Sequence, residues 1–339
     1  MTVQAALAPA RVTPNPAALH RLMTAYLSSK AVFSALDLKV FDALDDGPRT
    51  AEQLAPMLQL AERPMRMLLM ALDGLKLIRR GPDGYHNKPI ASTFLVSTSA
   101  EYLGAFAAHQ DAHFAKFSRI IEAFRTNRPV AVEEDNGAAP DSTDERARKW
   151  AEAFYVSAQM QNDQLAAKAP LAGRRRLVDL GCGSAAYSIA LARANPDLAI
   201  TAVDQAPVIK FAAEYVAAAG LTGQIATRPG NIFTDSFPGC DVALLSHVLD
   251  GYGAEKASSL IAHVYEWLPE GGDLLLHGHF PARGKAAFPY TMGLILLANT
   301  SGGEVHDEAT VRRWLDQAGF RDVHSKQVSS ISGLIYGRK

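Results

Sequence analysis

The chain has 339 residues, 48% of them hydrophobic and 20% charged, with a formal net charge of −1 and a pI near 6.8. That length suits two domains with sizeable cores, and that charge supplies no global field toward nucleic acid or anionic lipid. The two cysteines, Cys182 and Cys240, fit no metal spacing and point to a reducing, cytoplasmic setting, and no apolar run approaches the ~20 residues of a membrane span.

Met1–Pro16 is rich in Ala and Pro with a single Arg, so it reads as a disordered arm and a poor signal peptide. From Ala17 to Ala43 apolar residues recur at helical spacing (Leu19, Leu22, Met23, Tyr26, Leu27, then Val32, Phe33, Leu36, Leu38 and Phe41), which predicts two packed helices. After the Gly47-Pro48 break, Thr50 and Gln53 have the spacing of a capping box, and Leu54, Leu58 and Leu60 continue the inward face. A helix over Pro64–Leu75 is expected to present Met67, Leu68 and Ala71, and Gly81-Pro-Asp-Gly84 turns a hairpin between Leu77–Arg79 and Tyr85-His86. Helices followed by a two-stranded wing make a winged-helix arrangement over residues 17–95. A DNA-reading helix needs exposed basic and polar side chains, yet Pro64–Leu75 offers only Arg66, with Arg63 just before it. The apolar excess suits a dimer interface better.

Residues 96–170 are helical in pattern and form the natural wall of a pocket in the domain that follows. Two amphipathic stretches, Glu101–Arg125 and Asp144–Lys168, flank the loop Thr126–Ser142. The first groups His109, His113, Lys116 and Phe117 on one face, with Arg119 just beyond. The second groups Tyr155, Ser157, Gln159 and Met160.

From residue 171 to the end, apolar runs alternate with helical ones. Strands are expected at Leu177–Leu180, Leu198–Val203, Gln224–Thr227, Val242–Leu245 and Leu274–His277, with helices at Tyr187–Ala194, Ala206–Ala219, Lys256–Leu268 and Glu308–Ala318. That is a doubly wound α/β sheet, closed by an antiparallel hairpin of Val323–Val328 and Ser332–Tyr336 at its edge. The first run ends in Asp179-Leu-Gly-Cys-Gly-Ser184, a strand turning through glycines into a helix, and the second ends at Asp204, placed to take the hydroxyls of a ribose. A dinucleotide would set its pyrophosphate on the helix N-terminus, where Asp179 would repel it. S-adenosylmethionine (SAM) carries an ammonium and no phosphate, so the carboxylate favours SAM.

With these segments in hand, the chain resembles the caffeate/acetylserotonin type of SAM-dependent O-methyltransferase over roughly Ala17–Lys339. The most specific pieces are Val178-Asp-Leu-Gly-Cys-Gly183, Val203-Asp204, Pro229-Gly-Asn-Ile-Phe233, Leu244-Leu-Ser-His-Val-Leu249 and Gly302-Gly303. The resemblance implies a winged-helix dimerisation domain, a homodimer, a class I SAM-binding domain and no metal. It implies that Asp179, Gly181 and Gly183 face the methionine part of SAM, that Asp204 with Gln205 takes the ribose, and that Asn231 and Ile232 take the adenine. Ser246 borders the cofactor, and Tyr252 stacks near the ring where Trp is usual. The product would be S-adenosylhomocysteine.

Phenol-methylating relatives carry a His flanked by two glutamates at the reacting centre, and this chain has Asp250, Gly278 and Val305 there. A phenol with a pKa near 10 needs its proton removed, so loss of that set points to an acceptor that does not: a thioether sulfur, as in methylthiohydroxybutyrate methylation of dimethylsulfoniopropionate synthesis, or a nitrogen. Lys116 and Arg119 are candidate cations for an acceptor carboxylate, and Phe117, Met160, Tyr290 and Met292 are candidate apolar lining. Asp250, His247 and His279 are the remaining catalytic candidates. His277 and His279 share a face if the strand runs on through Gly278. Three alternatives stand beside this reading: hydroxyl methylation with a different base, a winged-helix regulator whose second half senses a ligand, and a SAM fold kept for non-methylating chemistry.

Overall fold

The computed structural model describes residues 15–130, 144–281 and 287–339. The chain divides into two compact units, one ending at Gly104 and the other beginning at Ala105.

The first unit contains α1 (Ala17–Asp37), α2 (Val40–Asp45), α3 (Ala51–Met57), α4 (Glu62–Gly74), β1 (Ile78–Gly81), β2 (Gly84–Asn87) and α5 (Pro89–Phe94). Lys39, in the left-handed region at φ 59°, turns the chain between α1 and α2. The capping box forms as expected: the Thr50 N–H donates to Gln53 Oε1 at 2.8 Å, and the Gln53 N–H to Thr50 Oγ1 at 3.4 Å. Phe41, Leu54, Met65, Leu69, Leu72 and Ile78 make the core. The inward face of α4 is therefore Met65, Leu69 and Leu72, whereas Met67 and Ala71 face solvent. This corrects the expected face. The helix is apolar on two sides, and only packing distinguishes them. Leu19, Leu22, Met23, Tyr26 and Leu27 on α1 are all more than half exposed. The arm expected over Met1–Pro16 lies almost wholly outside the described residues, as does most of the loop Thr126–Ser142.

The second unit opens with α6 (Gly104–Phe117, which begins at the boundary), α7 (Ile120–Thr126), α8 (Asp144–Gln159) and α9 (Asn162–Lys168). Each expected amphipathic stretch is thus two helices. The core is a seven-stranded sheet in the order β5-β4-β3-β6-β7-β9-β8, formed by β3 (Arg176–Leu180), β4 (Ala199–Asp204), β5 (Ile225–Pro229), β6 (Val242–Ser246), β7 (Asp273–Gly278), β8 (Arg321–Gln327) and β9 (Gly333–Arg338). The first five strands of that order run parallel, and β9 enters antiparallel between β7 and β8. β6 and β7 are buried along their whole length, which is why they read as unbroken apolar runs. Edge strand β8 is almost entirely exposed and carries Arg321, Asp322 and Lys326, charges that discourage further pairing. Asp273, at the start of β7, is buried and pairs with Arg174 and Arg338.

Around the sheet lie α10 (Ala186–Ala194), α11 (Ala206–Ala218), α12 (Ala254–Trp267), α13 (Phe288–Asn299) and α14 (Glu308–Ala318). α13 was not foreseen, because Met292–Ala298 is apolar without a helical period. Strand order reverses direction at β3, whose neighbours are β4 and β6, so the crevice at the carboxyl ends of these three strands is where an open parallel sheet takes a ligand.

Candidate active site

At the end of β3 the chain doubles back, and the N–H groups of Gly181 and Cys182 both donate to Val203 O, at 2.8 and 3.0 Å. Gly181 has φ +76°, and a Cβ there would lie 2.8 Å from Val248 Cγ2, so only glycine fits this turn. Asp179 is fully buried. Its Oδ2 accepts from Ser188 Oγ at 2.6 Å, while Oδ1 has no partner. Burial, helped by the Asp204 charge, raises its pKa to about 7. An orphaned carboxylate oxygen in a turn that admits no side chain fits an ammonium, as the SAM reading requires.

Asp204, at the tip of β4, accepts from the Gly183 N–H at 2.8 Å and the Gln205 N–H at 2.7 Å. Each oxygen keeps lone-pair capacity for a hydroxyl. Gln205 is exposed at the N-cap of α11 and contributes its backbone here. Tyr252 packs edge-on to Phe233 at 5.0 Å, and burial, with the nearby Asp204 charge adding to it, raises its phenol pKa. Ile232 packs beside them against the core. Asn231 Oδ1 accepts from the Phe233 N–H at 3.0 Å, so one of its two lone pairs is already used. The Ser246 hydroxyl is buried and bonded to His277 Nδ1 at 2.8 Å, so any contact of this residue with a cofactor would be through its backbone.

The candidate reacting corner, where the sequence reading set Asp250, His247 and His279, lies where β6 and β7 end. His247 follows β6 in the left-handed region, at φ 54°, with its N–H donating to His277 O at 2.8 Å. A non-glycine residue held in that conformation at a strand end is strained in a way that marks functional sites. A 3₁₀ turn, Leu249–Gly251, then buries Asp250, whose carboxyl accepts the His279 backbone N–H and keeps Oδ2 without a partner. Burial raises the Asp250 pKa to about 7. The His279 ring donates through Nδ1 to Ile331 O at 2.9 Å, which leaves Nε2 as an acceptor. His247, Asp250 and His279 come together with one ligand atom from each within 4.8 Å of the others. Desolvation lowers the pKa of both imidazoles, that of His247 the further. Gly278 lies in the same corner, where a Cβ would be 3.8 Å from Asp250 Oδ2. The loop after α13 is pinned to the turn by the Glu304 N–H donating to Asp250 O at 3.0 Å and by His306 Nε2 donating to Tyr252 O at 2.9 Å.

Behind the histidines runs a network the sequence did not indicate. His277 is bonded at both nitrogens, to Ser246 Oγ at 2.8 Å and Ser332 Oγ at 3.1 Å. Gln161 accepts from Ser332 Oγ at 2.6 Å and donates to Tyr187 OH at 3.0 Å, with His247 Nε2 a further 3.4 Å contact. Gln161 was overlooked although it stands between Met160 and the α9 start, because a lone Gln at a helix break gives no spacing signal.

The expected acceptor contacts lie at several places in the second unit. A cavity of about 570 Å³ is lined by Asn127, Pro281, Tyr290, Leu297, Gly303 and Val305, among others. Tyr290 borders it, whereas Met292 does not: the cavity-facing side of α13 is Tyr290, Gly293 and Leu297. His113 and Lys116 meet Asn299 at the end of α13, with Lys116 Nζ donating to its Oδ1 at 2.8 Å, and Phe117 tilts against His113. Arg119 forms a two-pronged pair with Glu122 at 2.8 and 2.9 Å on an exposed face. Tyr155 stacks on Tyr215 of α11 at 4.1 Å. Gln159 accepts from Asn162 Nδ2 at 2.8 Å beside the α8–α9 break, and Met160 is exposed.

A family model described as O-methyltransferase domain matches residues 135–321, and one described as O-methyltransferase dimerisation domain matches residues 20–97. The chain is 30% identical to 3-hydroxy-5-methyl-1-naphthoate 3-O-methyltransferase of Streptomyces sahachiroi, over 96% of this chain and 95% of that protein. It is 28% identical to the N,N-dimethyltransferase OxyT of Streptomyces rimosus, over 93% of each. Among solved structures, human N-acetylserotonin methyltransferase in complex with SAM has the same fold, with a TM-score of 0.86 at 21% identity over 98% of this chain and 99% of that one.

Proposed function

The chain belongs to the O-methyltransferase family and is a SAM-dependent methyltransferase, and from that premise we propose that it methylates the thioether sulfur of a small acid without a general base, a neutral nitrogen being the next candidate acceptor. What supports this reading is that Asp250, Gly278 and Val305 stand where the resemblance implies a His and two glutamates in phenol-methylating relatives. Bound SAM supplies an electrophilic methyl group on a sulfonium. A thioether sulfur attacks through its own lone pair, the donor sulfur keeps the electrons of the broken bond, and no proton moves. A base worth ~10²–10⁴-fold is then unnecessary, while orientation alone can reach effective molarities of ~10⁵–10⁸ M, or about 7–11 kcal/mol. The relatives' names span hydroxyl, amine and carbon acceptors, so the family tolerates a change of acceptor atom.

One observation favours a second reading. His279 Nε2 is an acceptor in the same corner, so a hydroxyl acceptor could give its proton there, although the lowered pKa makes this imidazole a weak base. Labelled SAM offered with thioether acids, amines and phenols separates the two. Label in a thioether acid or amine supports the proposal. Label confined to phenols, with a ~10²-fold or larger loss of kcat in His279→Gln, rejects it.

The exposed apolar face of α1, in the segment that matches the dimerisation domain, supports assembly as a homodimer. No helix among the described residues is long and apolar enough to cross a membrane.

A further inference from the structure

We propose that Gln161 is a positioning residue that holds His247 in the tautomer protonated at Nδ1, and that this N–H is the donor for a carboxylate oxygen of the acceptor. What the N–H binds rests on the acceptor reading above, whereas the tautomer does not. Gln161 lies between α8 and α9, is 5% exposed, and reaches both His247 after β6 and Ser332 before β9.

An amide can face two ways, and the serines choose between them. Ser329 Oγ accepts from the N–H groups of Ile331 at 3.2 Å and Ser332 at 3.1 Å. Those bonds fill both of its lone pairs and leave no site for an amide N–H, so the Gln161 atom 3.2 Å away is the carbonyl oxygen. The 2.6 Å contact from Ser332 Oγ to the same atom is the length of an O–H···O bond and short for an N–H donor. The direction of the chain follows. Ser332 gives its proton to Gln161 and therefore receives the Nε2–H of His277, whose Nδ1 accepts from Ser246 Oγ. On the other side the amide N–H groups of Gln161 go to Tyr187 OH at 3.0 Å and to His247 Nε2 at 3.4 Å. A ring nitrogen that faces an N–H donor offers its lone pair, which puts the His247 proton on Nδ1. Two imidazoles with centroids 4.6 Å apart are thus set in opposite tautomers by one run of bonds.

The Nδ1–H is left with a task. It has no hydrogen-bond partner among the described residues, and His247 is partly exposed directly after β6, next to the crevice at the strand ends. The cations expected for an acceptor carboxylate bond elsewhere, Lys116 to Asn299 and Arg119 to Glu122. Asp250 does not exclude an anion from this corner, because burial raises its pKa to about 7 and a protonated carboxyl is itself a donor. The same bond from Gln161 removes His247 from the candidate bases, since the nitrogen that would take a proton already accepts one.

The test is proton–nitrogen correlation spectroscopy of full-length enzyme whose histidines carry a heavy-nitrogen label, with the His247 signal assigned by its loss in His247→Asn. The wild type is expected to show the Nδ1–H pattern. Gln161→Glu, which turns the donor into an acceptor, should move the proton to Nε2, and Gln161→Met should abolish the preference. In both variants KM for methylthiobutanoate is expected to rise about tenfold, the worth of one hydrogen bond to a charged group, with kcat within about threefold. SAM affinity by calorimetry, also within about threefold, serves as the folding control. An Nε2–H pattern in the wild type, or an Nδ1–H pattern kept in both variants, overturns the positioning role. A tautomer that moves while KM stays overturns the carboxylate contact. Label confined to phenols in an enzyme with the expected tautomer would leave the role of Gln161 standing and reject the acceptor reading. A labelled thioether acid in an enzyme with the Nε2–H pattern would do the reverse.

Discussion

Asp179 places a carboxyl inside a parallel sheet with one oxygen bonded to Ser188 and the other unpartnered. Burial raises its pKa to about 7, so below that pH the apo protein holds it neutral. An ammonium requires the ionised form, and binding must then expel a proton. SAM affinity is therefore expected to rise about tenfold per pH unit on approach to pH 7 and to level above it, since 1.36 kcal/mol accompanies each unit of pKa difference. The same raised pKa means that unfolded chains lose this proton first, so this group's contribution to apo stability falls as pH climbs from the ordinary carboxylate range to about 7. Asp179→Asn should bind SAM weakly and without that slope. Calorimetry from pH 5.5 to 8.5 decides it, and a slope preserved in the variant would exonerate Asp179.

At the scale of elements, the site depends on how the turn after β6 and the loop after α13 are fastened. A Cβ at Gly303 would come within 2.9 Å of Asp250 O and 2.5 Å of Thr300 Oγ1, so alanine there must push the loop off the turn. Gly303→Ala is expected to cut kcat/KM by tenfold or more through the acceptor, while the Kd for SAM stays within about threefold. Equal loss of both would mean that the loop also shapes the cofactor crevice. These elements differ in how legible they were. Buried parallel strands announce themselves as apolar runs, and an Asp followed by a glycine turn into a helix marks a candidate cofactor loop, so Asp179, Gly181, Gly183 and Asp204 could be singled out as candidates from the sequence. α13 could not, since Met292–Ala298 is apolar all round, and neither could the inward face of α4. The reacting corner was half legible. His247 and Asp250 share a motif, but what brings His279 to them is a strand end and a left-handed residue, neither of which has a sequence period. For Tyr155 the pattern did not say which neighbour it would meet. Its helix is amphipathic, and the apolar side turned toward Tyr215.

For the whole molecule, the two compact units each bury a core of their own, and the N-terminal one still exposes five large apolar side chains along α1, Leu22 at 75%. Such a stripe needs a cover, and a second copy of the same helix is the proposed one. Leu22→Lys with Leu27→Lys should convert a dimer to a monomer in light scattering, leaving the thermal transition of the SAM-binding unit in place. A wild-type monomer would reject the assembly.

The larger claim is that this member of the family moves a methyl group without moving a proton. The decisive measurement is the number of protons released per methyl transferred, read with an indicator in weakly buffered solution near pH 7 while labelled SAM reports turnover of a thioether acid. The account expects none, because a sulfur lone pair is the whole nucleophile. One proton per methyl, matched to a hydroxyl product and lost in His279→Gln, would contradict it.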